Sequence, residues 1–137
     1  MRNLEYKLPK NRIVVIIIII TAIALMHIFR VGQYLKDDLY KYYYSYASDI
    51  MIPFAFYFLL CLEEPYIIIF RKWYSKAIFV FVGASIIEIL QRYVIYIVGA
   101  TYDIVDILMF AIGVILAAIL DTLVFKKLVP FWDISES

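Results

Sequence analysis

The apolar run at residues 13–29 constrains this chain more than any other feature of its sequence. It is interrupted only by Thr21 and His27, and it contains no Asp, Glu, Lys or Arg. A helix needs about 20 largely apolar residues to cross the hydrocarbon core of a bilayer. The run therefore predicts a membrane-spanning helix near the start of the chain.

Three further apolar segments follow. Residues 50–62 form a short uncharged run, and charged side chains interrupt the longer segments at 77–98 and 104–125. Backbone groups in lipid must satisfy their own hydrogen bonds, and these runs lack the two-residue alternation of membrane barrels, so helices are favoured. We predict an all-α polytopic membrane protein with four transmembrane helices, the second of them tilted, kinked at Pro53 or partly interfacial. The predicted single domain, 1–137, has helices at about 13–30, 48–70, 76–98 and 103–126, with a loose tail at 131–137.

The composition supports a membrane protein and excludes several other classes. Apolar residues make up 66% of the chain, against roughly 45–50% in soluble domains. A formal net charge of +1 provides no basic surface for nucleic acid. Cys61 is the single cysteine, and the chain has one histidine. The sequence shows neither a Cys/His cluster nor a Gly-rich phosphate loop, so we expect neither a metal nor a cofactor. The expected partners are therefore membrane lipids, a second copy of the chain or another membrane protein.

The distribution of lysine and arginine predicts the orientation, because cytoplasmic loops carry an excess of these residues. The N-terminal segment, the loop after the second helix and the C-terminal segment carry nine, and the first external loop carries three. The nine are Arg2, Lys7, Lys10, Arg12, Arg71, Lys72, Lys76, Lys126 and Lys127. We therefore predict a multi-pass protein of the cytoplasmic membrane with both termini inside the cell.

Ionisable groups inside a span are costly and are candidate functional residues. Glu88 lies near the middle of the third predicted helix, and Gln91 and Arg92 follow at i+3 and i+4 on the same face. A Glu88–Arg92 ion pair within the helix is the structural alternative. The i+4 spacing allows that pair to form, although two apolar residues would be cheaper to bury, so both interpretations stay open.

A second polar stripe marks the fourth predicted helix. Asp103, Asp106, Gly113 and Ala117 fall on one face, and Gly113 and Ala117 form a small-xxx-small pair that permits close helix packing. Asp103 is also a candidate helix cap, as is Asp49 at the start of the second helix. We expect the cluster to face the outer half of the bilayer. Its predicted members are Asp49, Glu88, Gln91, Arg92, Asp103 and Asp106.

Other charged residues have simpler interpretations. The acids Glu63 and Glu64 precede a proline, which is typical of a solvated helix end. Asp121 faces the inner end beside Lys126 and Lys127, so a structural role is expected. An intramembrane enzyme is the least favoured hypothesis, because neither a nucleophile nor a metal set accompanies the acids.

The motif Glu88-x-x-Gln91-Arg92, followed after ten residues by Asp103-x-x-Asp106 and then Gly113, resembles the VanZ-like group of small bacterial membrane proteins. That group shows E-x-x-Q on one helix and D-x-x-D-x-x-x-N-x-x-G on the next. The resemblance covers roughly residues 48–120, and Phe110 stands where the group has Asn. It implies a compact helical protein of the bacterial cell envelope, with relatives linked to tolerance of glycopeptide antibiotics.

Three hypotheses for function follow from the polar cluster. In the first, an outer-leaflet pocket binds a lipid or a lipid-linked envelope precursor, with Arg92 holding a phosphate or carboxylate. In the second, the chain is a structural subunit whose polar residues clamp its helices. In the third, Glu88 serves a small proton- or ion-coupled transporter, although the sequence shows no internal repeat.

Overall fold

A computed structural model describes residues 7–29, 36, 38–42, 46–93 and 104–132, without the side chains of residues 40, 42, 91 and 92. Every regular element in this part of the chain is helical, so the all-helical prediction is confirmed there. The helices are α1 (Lys10–Ile28), α2 (Asp38–Tyr42), α3 (Ser48–Leu62), α4 (Trp73–Tyr93), α5 (Ile104–Ile119) and α6 (Lys126–Leu128). A short 3-10 helix, Ile68–Arg71, precedes α4, and a π-helical segment, Leu120–Phe125, joins α5 to α6.

Three of these helices are long and apolar enough to cross a membrane. They are α1, the Trp73–Leu90 portion of α4, and the continuous stretch Ile104–Leu128 that contains α5 and α6. The second predicted helix corresponds to α3, which is apolar but has only 15 residues. It ends at Leu62, short of the expected 70, because the chain turns at Glu63, whose carbonyl accepts hydrogen bonds from Tyr66 and Ile67.

The helix α3 occupies the centre of the bundle and contacts α1, α4 and α5, and α4 also contacts α5. Arg12 at the start of α1 pairs with Glu64 after the end of α3, at 2.9 Å. At the other end of both helices, His27 Nε2 lies 3.2 Å from Ser48 Oγ. The two helices are therefore antiparallel, and α3 runs between the same two ends of the bundle as α1.

A compact apolar core lies at the end of the bundle where α3 finishes. Phe58 and Phe125 pack against Trp132, with ring centroids 6.3 and 4.3 Å from the indole. Trp132 is fully buried. The expectation of a loose tail from 131 is therefore wrong for Trp132, because this apolar pocket takes its indole out of solvent; residues 133–137 lie outside the described part.

The backbones of α5 and α3 approach each other closely at Gly113, which is buried in α5. A Cβ added at Gly113 would collide with the backbone carbonyl of Ile50 in α3. One turn further along, Ala117 is also fully buried. The pair at Gly113 and Ala117 thus lies where α5 meets α3, and the absence of a side chain at Gly113 permits the contact.

Replacing Gly113 tests this contact against a control glycine in a neighbouring helix. Gly113→Ala should lower the free energy of unfolding by about 1–3 kcal/mol, because the Ile50 carbonyl must move. A Cβ at Gly83 would meet nothing within 4 Å, so Gly83→Ala should leave stability unchanged or slightly raised. Thermal unfolding of both variants in detergent measures the difference. Equal midpoints for the two variants would contradict the predicted role of Gly113.

Candidate functional site

Four charged side chains meet inside the bundle at the end where α1 begins and α3 finishes. We call them the buried charge cluster; its members are Arg12, Glu64, Lys76 and Asp121, each with 3% or less of its surface exposed. They come from α1, the turn after α3, the first turn of α4 and the π-helical segment after α5. Four separate parts of the chain are therefore joined at one point.

The four side chains form a continuous chain of ion pairs. Glu64 Oε1 accepts hydrogen bonds from Arg12 Nη2 at 2.9 Å and from Lys76 Nζ at 2.5 Å. Lys76 Nζ also donates to Asp121 Oδ2 at 3.2 Å. Two cations thus face two carboxylates, and the cluster is neutral as a whole. Such pairing is required at this depth, because an unpaired buried charge is very costly.

Neutral side chains complete the coordination of Asp121. The Tyr57 hydroxyl donates to Oδ2 at 2.7 Å, and the Trp132 indole N–H donates to Oδ1 at 2.7 Å. Lys76 Nζ also donates to the thiol sulfur of Cys61 at 3.3 Å. The carboxylate of Asp121 therefore ties together α3, α4 and the turn after α6.

Two aromatic rings lie against the cations of the buried charge cluster. The guanidinium carbon of Arg12 is 4.8 Å from the centroid of the Trp132 ring, and Lys76 Nζ is 5.0 Å from that of Tyr57. Cations at this distance are attracted by the negative face of an aromatic ring. Tyr57 and Trp132 therefore each make two kinds of contact with the cluster. Their polar hydrogens bind the carboxylate of Asp121, and their rings lie against the cations.

Helical spacing explains why these residues converge. Tyr57, Cys61 and Glu64 follow at intervals of four and three, which places them on one face of α3 and its following turn. On α5 and the π-helical segment, Ala117 and Asp121 share a face in the same way. The cluster residues thus continue the buried stripes of their helices.

The expectation for Glu64 was wrong, although the one for its neighbour holds. Glu63 is exposed, whereas Glu64 is buried and paired with Arg12 and Lys76. The physical reason is the turn after Leu62, where the Glu64 carbonyl also accepts a hydrogen bond from Arg71 Nε at 3.1 Å. Asp121, for which a structural role is expected, is buried and forms an ion pair with Lys76.

The chemistry of the buried charge cluster is that of a structural clamp. Its charged groups are closed off from solvent and satisfied by one another, apart from the buried Nε of Arg12, which has no hydrogen-bond partner. Within the described ranges, no group of His, Cys, Asp or Glu side chains could hold a metal ion. The cluster joins four chain segments and leaves no accessible surface for a ligand.

The carboxylates predicted as a site lie in the other half of the bundle. Glu88 is twelve residues along α4 from Lys76, which corresponds to about 18 Å at helical rise. Asp106 precedes Asp121 by fifteen residues, or about 22 Å along its helix. Asp49 lies in the first turn of α3, at the end remote from Glu64. These three predicted site residues therefore share the half of the bundle opposite the buried charge cluster.

Burial distinguishes Glu88 from the other two carboxylates. Glu88 is 5% exposed, whereas Asp49 and Asp106 are half-buried, and none of the three is without an interaction partner. One turn before Glu88, the Ser85 hydroxyl is buried without a hydrogen-bond partner. Gln91 and Arg92 lie in α4, but their side chains are outside the described part, as is all of Asp103.

Three helices have the length and composition of membrane spans. These helices indicate that the chain is an α-helical membrane protein. Their outward faces fit lipid, since large apolar side chains such as Ile18, Ile86 and Leu116 are about half exposed or more. In comparisons with known proteins, no family model matches the chain, and no curated protein or solved structure is significantly similar to it.

Adjacent glutamates provide a matched test of the buried charge cluster. Glu64→Gln should lower the free energy of unfolding by about 3–5 kcal/mol, because it leaves two buried cations with one carboxylate. Glu63→Gln should change it by less than about 0.5 kcal/mol, since an exposed glutamate contributes little. Thermal unfolding in detergent, followed by tryptophan fluorescence, measures both. If the two variants melted together, the cluster would not hold the bundle.

Proposed function

We propose that this chain is a VanZ-like membrane protein of the bacterial cell envelope whose outer half binds the headgroup of a lipid or lipid-linked envelope precursor. The observation that carries the proposal is the burial of Glu88 inside a helix of membrane-spanning length. Burial of a carboxylate at that depth is expensive and marks candidate functional sites by default.

The separation of the two polar regions supports this assignment. The buried charge cluster already joins α1, α3, α4 and α5 at one end, so a second polar group is not needed there to hold them. At the other end, Gly113 brings α5 against Ile50, the neighbour of Asp49. The carboxylates of Asp49 and Glu88 therefore belong to helices that are already held together by packing and by the cluster.

The proposed ligand must match both signs of charge. Arg92 supplies a fork of donors suited to a phosphate or carboxylate. The acids Asp49, Glu88, Asp103 and Asp106 are acceptors when ionised. A headgroup that combines an anionic group with hydroxyl or amine donors satisfies both, as lipid and envelope-precursor headgroups do.

We also propose that α3 crosses the membrane as a fourth span, with both termini on the cytoplasmic side. Support comes from its contacts at both ends, with Arg12 of α1 near Glu64 and His27 near Ser48. The short length of α3 is compatible with this if the polar turn after Leu62 lies within the headgroup region. The excess of Lys and Arg at the Glu64 end supports its cytoplasmic location.

Single cysteines introduced into a Cys61→Ser background test the topology. Asp38→Cys precedes α3, and Glu63→Cys and Lys127→Cys lie at the opposite end of the bundle; all three positions are exposed. In intact cells, a membrane-impermeant maleimide should label the first variant and should reach the other two only after permeabilisation. Labelling at positions 38 and 63 from the same side would exclude α3 as a span.

Lipid retention tests the proposed pocket. Native mass spectrometry of wild type extracted gently from its own membrane should show one defined headgroup-bearing molecule per chain. Arg92→Ala should lower its occupancy by about tenfold or more, the effect of removing a charge-assisted bidentate contact. Glu63→Gln, an exposed acid at the other end, is the control and should retain the molecule.

A structural subunit is the second candidate function, and one observation favours it. Asp49, Glu88 and Asp106 all have interaction partners, as residues that hold a bundle together would. Under this alternative, a stoichiometric membrane protein or a dimer would accompany wild type and Arg92→Ala equally, with no retained small molecule. That result would replace the ligand-binding proposal.

A further inference from the structure

An apolar groove of about 590 Å³ runs along the outside of the bundle between α4 and α5. The Trp73 ring and the small side chain of Ala77 line it on α4, and Val114, Ala118, Thr122 and Lys126 line it on the opposite side. The groove belongs neither to the buried charge cluster nor to the proposed outer pocket. We propose that it binds one acyl chain of an anionic phospholipid, with the headgroup phosphate at Lys126.

The length of the groove matches one leaflet. Val114 and Lys126 are twelve residues apart, or about 18 Å at helical rise. Half of a typical hydrocarbon core is about 15 Å thick. One end of the groove therefore lies near the bilayer centre, and the other reaches the headgroups.

Small side chains create the space for the chain. Ala77 on α4 and Ala118 on α5 line the groove where larger residues would fill it. The one hydroxyl in the lining, that of Thr122, donates to the Ala118 carbonyl at 2.6 Å. Away from Trp73 and Lys126, the groove therefore offers an acyl chain an apolar surface.

The charges at the headgroup end favour an anionic lipid. Lys126 lines the groove, and Arg71, Lys72 and Lys127 lie at the same end of the bundle. Of the acids described at this end, Glu64 and Asp121 are buried and paired within the chain and only Glu63 is exposed, so the cations remain in excess. Trp73, the first residue of α4, lines this end of the groove, as is typical of the interface between membrane and water.

Lipid binding in the groove can be followed by tryptophan fluorescence, because the two tryptophans of the chain differ in exposure. Trp73 lines it and is 48% exposed, whereas Trp132 is fully buried. Bromine atoms on an acyl chain in the groove should therefore quench Trp73. The full chain would be reconstituted into phosphatidylcholine vesicles containing a minority of phosphatidylglycerol, with bromine on the chains of one lipid at a time.

In wild type, brominated phosphatidylglycerol should quench Trp73 about fivefold more effectively per molecule than brominated phosphatidylcholine, the preference expected from one lysine at an anionic headgroup. Lys126→Ala should abolish this preference. The adjacent Lys127→Ala should retain it, because Lys127 does not line the groove. Lys126→Gln, which keeps most of the aliphatic stem, should lose the preference as well and covers the case in which the alanine variant does not fold.

Three results would overturn the proposal. Equal quenching by the two lipids in wild type would show ordinary lipid contact without a site. Equal loss of preference in Lys126→Ala and Lys127→Ala would assign it to the general surface charge. Absence of quenching by either lipid, together with a dimer in cross-linking, would assign the groove to a second copy of the chain. Because Arg92 lies at the other end of α4, its variants should leave this preference unchanged.

Discussion

The arrangement of the helices depends on the ammonium group of Lys76, which lies between the carboxylates of Glu64 and Asp121. Lipid gives no hydrophobic driving force for helix association, so packing and polar contacts must decide how helices meet. A buried ion pair need not stabilise a protein more than an apolar pair of similar volume. Removing one of the two charged partners is nevertheless severely destabilising, because the other charge stays buried and unpaired. Arrangements that separate Lys76 from either acid are therefore strongly disfavoured, and the buried charge cluster favours the observed set of neighbouring helices.

A second contact fixes the position of α5 along α3. Gly113 meets Ile50, and Asp121 accepts a hydrogen bond from Tyr57. The spacing is eight residues on one helix and seven on the other, so the two parallel helices keep the same offset over about 10 Å. One contact is steric and the other is electrostatic. A shift of α5 by one turn would have to break both, which gives the pair a single register.

The helices could be predicted from the sequence because a long apolar run has few structural solutions, and Glu88 stood out because it interrupts such a run. The buried charge cluster could not be predicted, because Arg12, Glu64 and Lys76 flank the apolar runs, where solvated charges are normal. Asp121 lies inside a run but only about one turn from its end, where a charge is also unremarkable. Glu63 and Glu64 are chemically identical neighbours, and only the direction of the turn after Leu62 decides which is buried. Arg12, a partner of Glu64, lies 52 residues away in the sequence, so no local pattern connects the two.

The two polar regions differ in their balance of charge, and this difference bears on function. The buried charge cluster has two cations for two carboxylates and is complete within the chain. The polar cluster predicted around Glu88 has four acids and one base; its members are Asp49, Glu88, Asp103, Asp106 and Arg92. An ionised carboxylate can accept several hydrogen bonds, so the proposed ligand could donate to these acids in addition to their partners within the chain. A ligand with hydroxyl or amine donors beside its phosphate would offset this excess of acceptors over donors. A purely anionic ligand would increase the excess of negative charge.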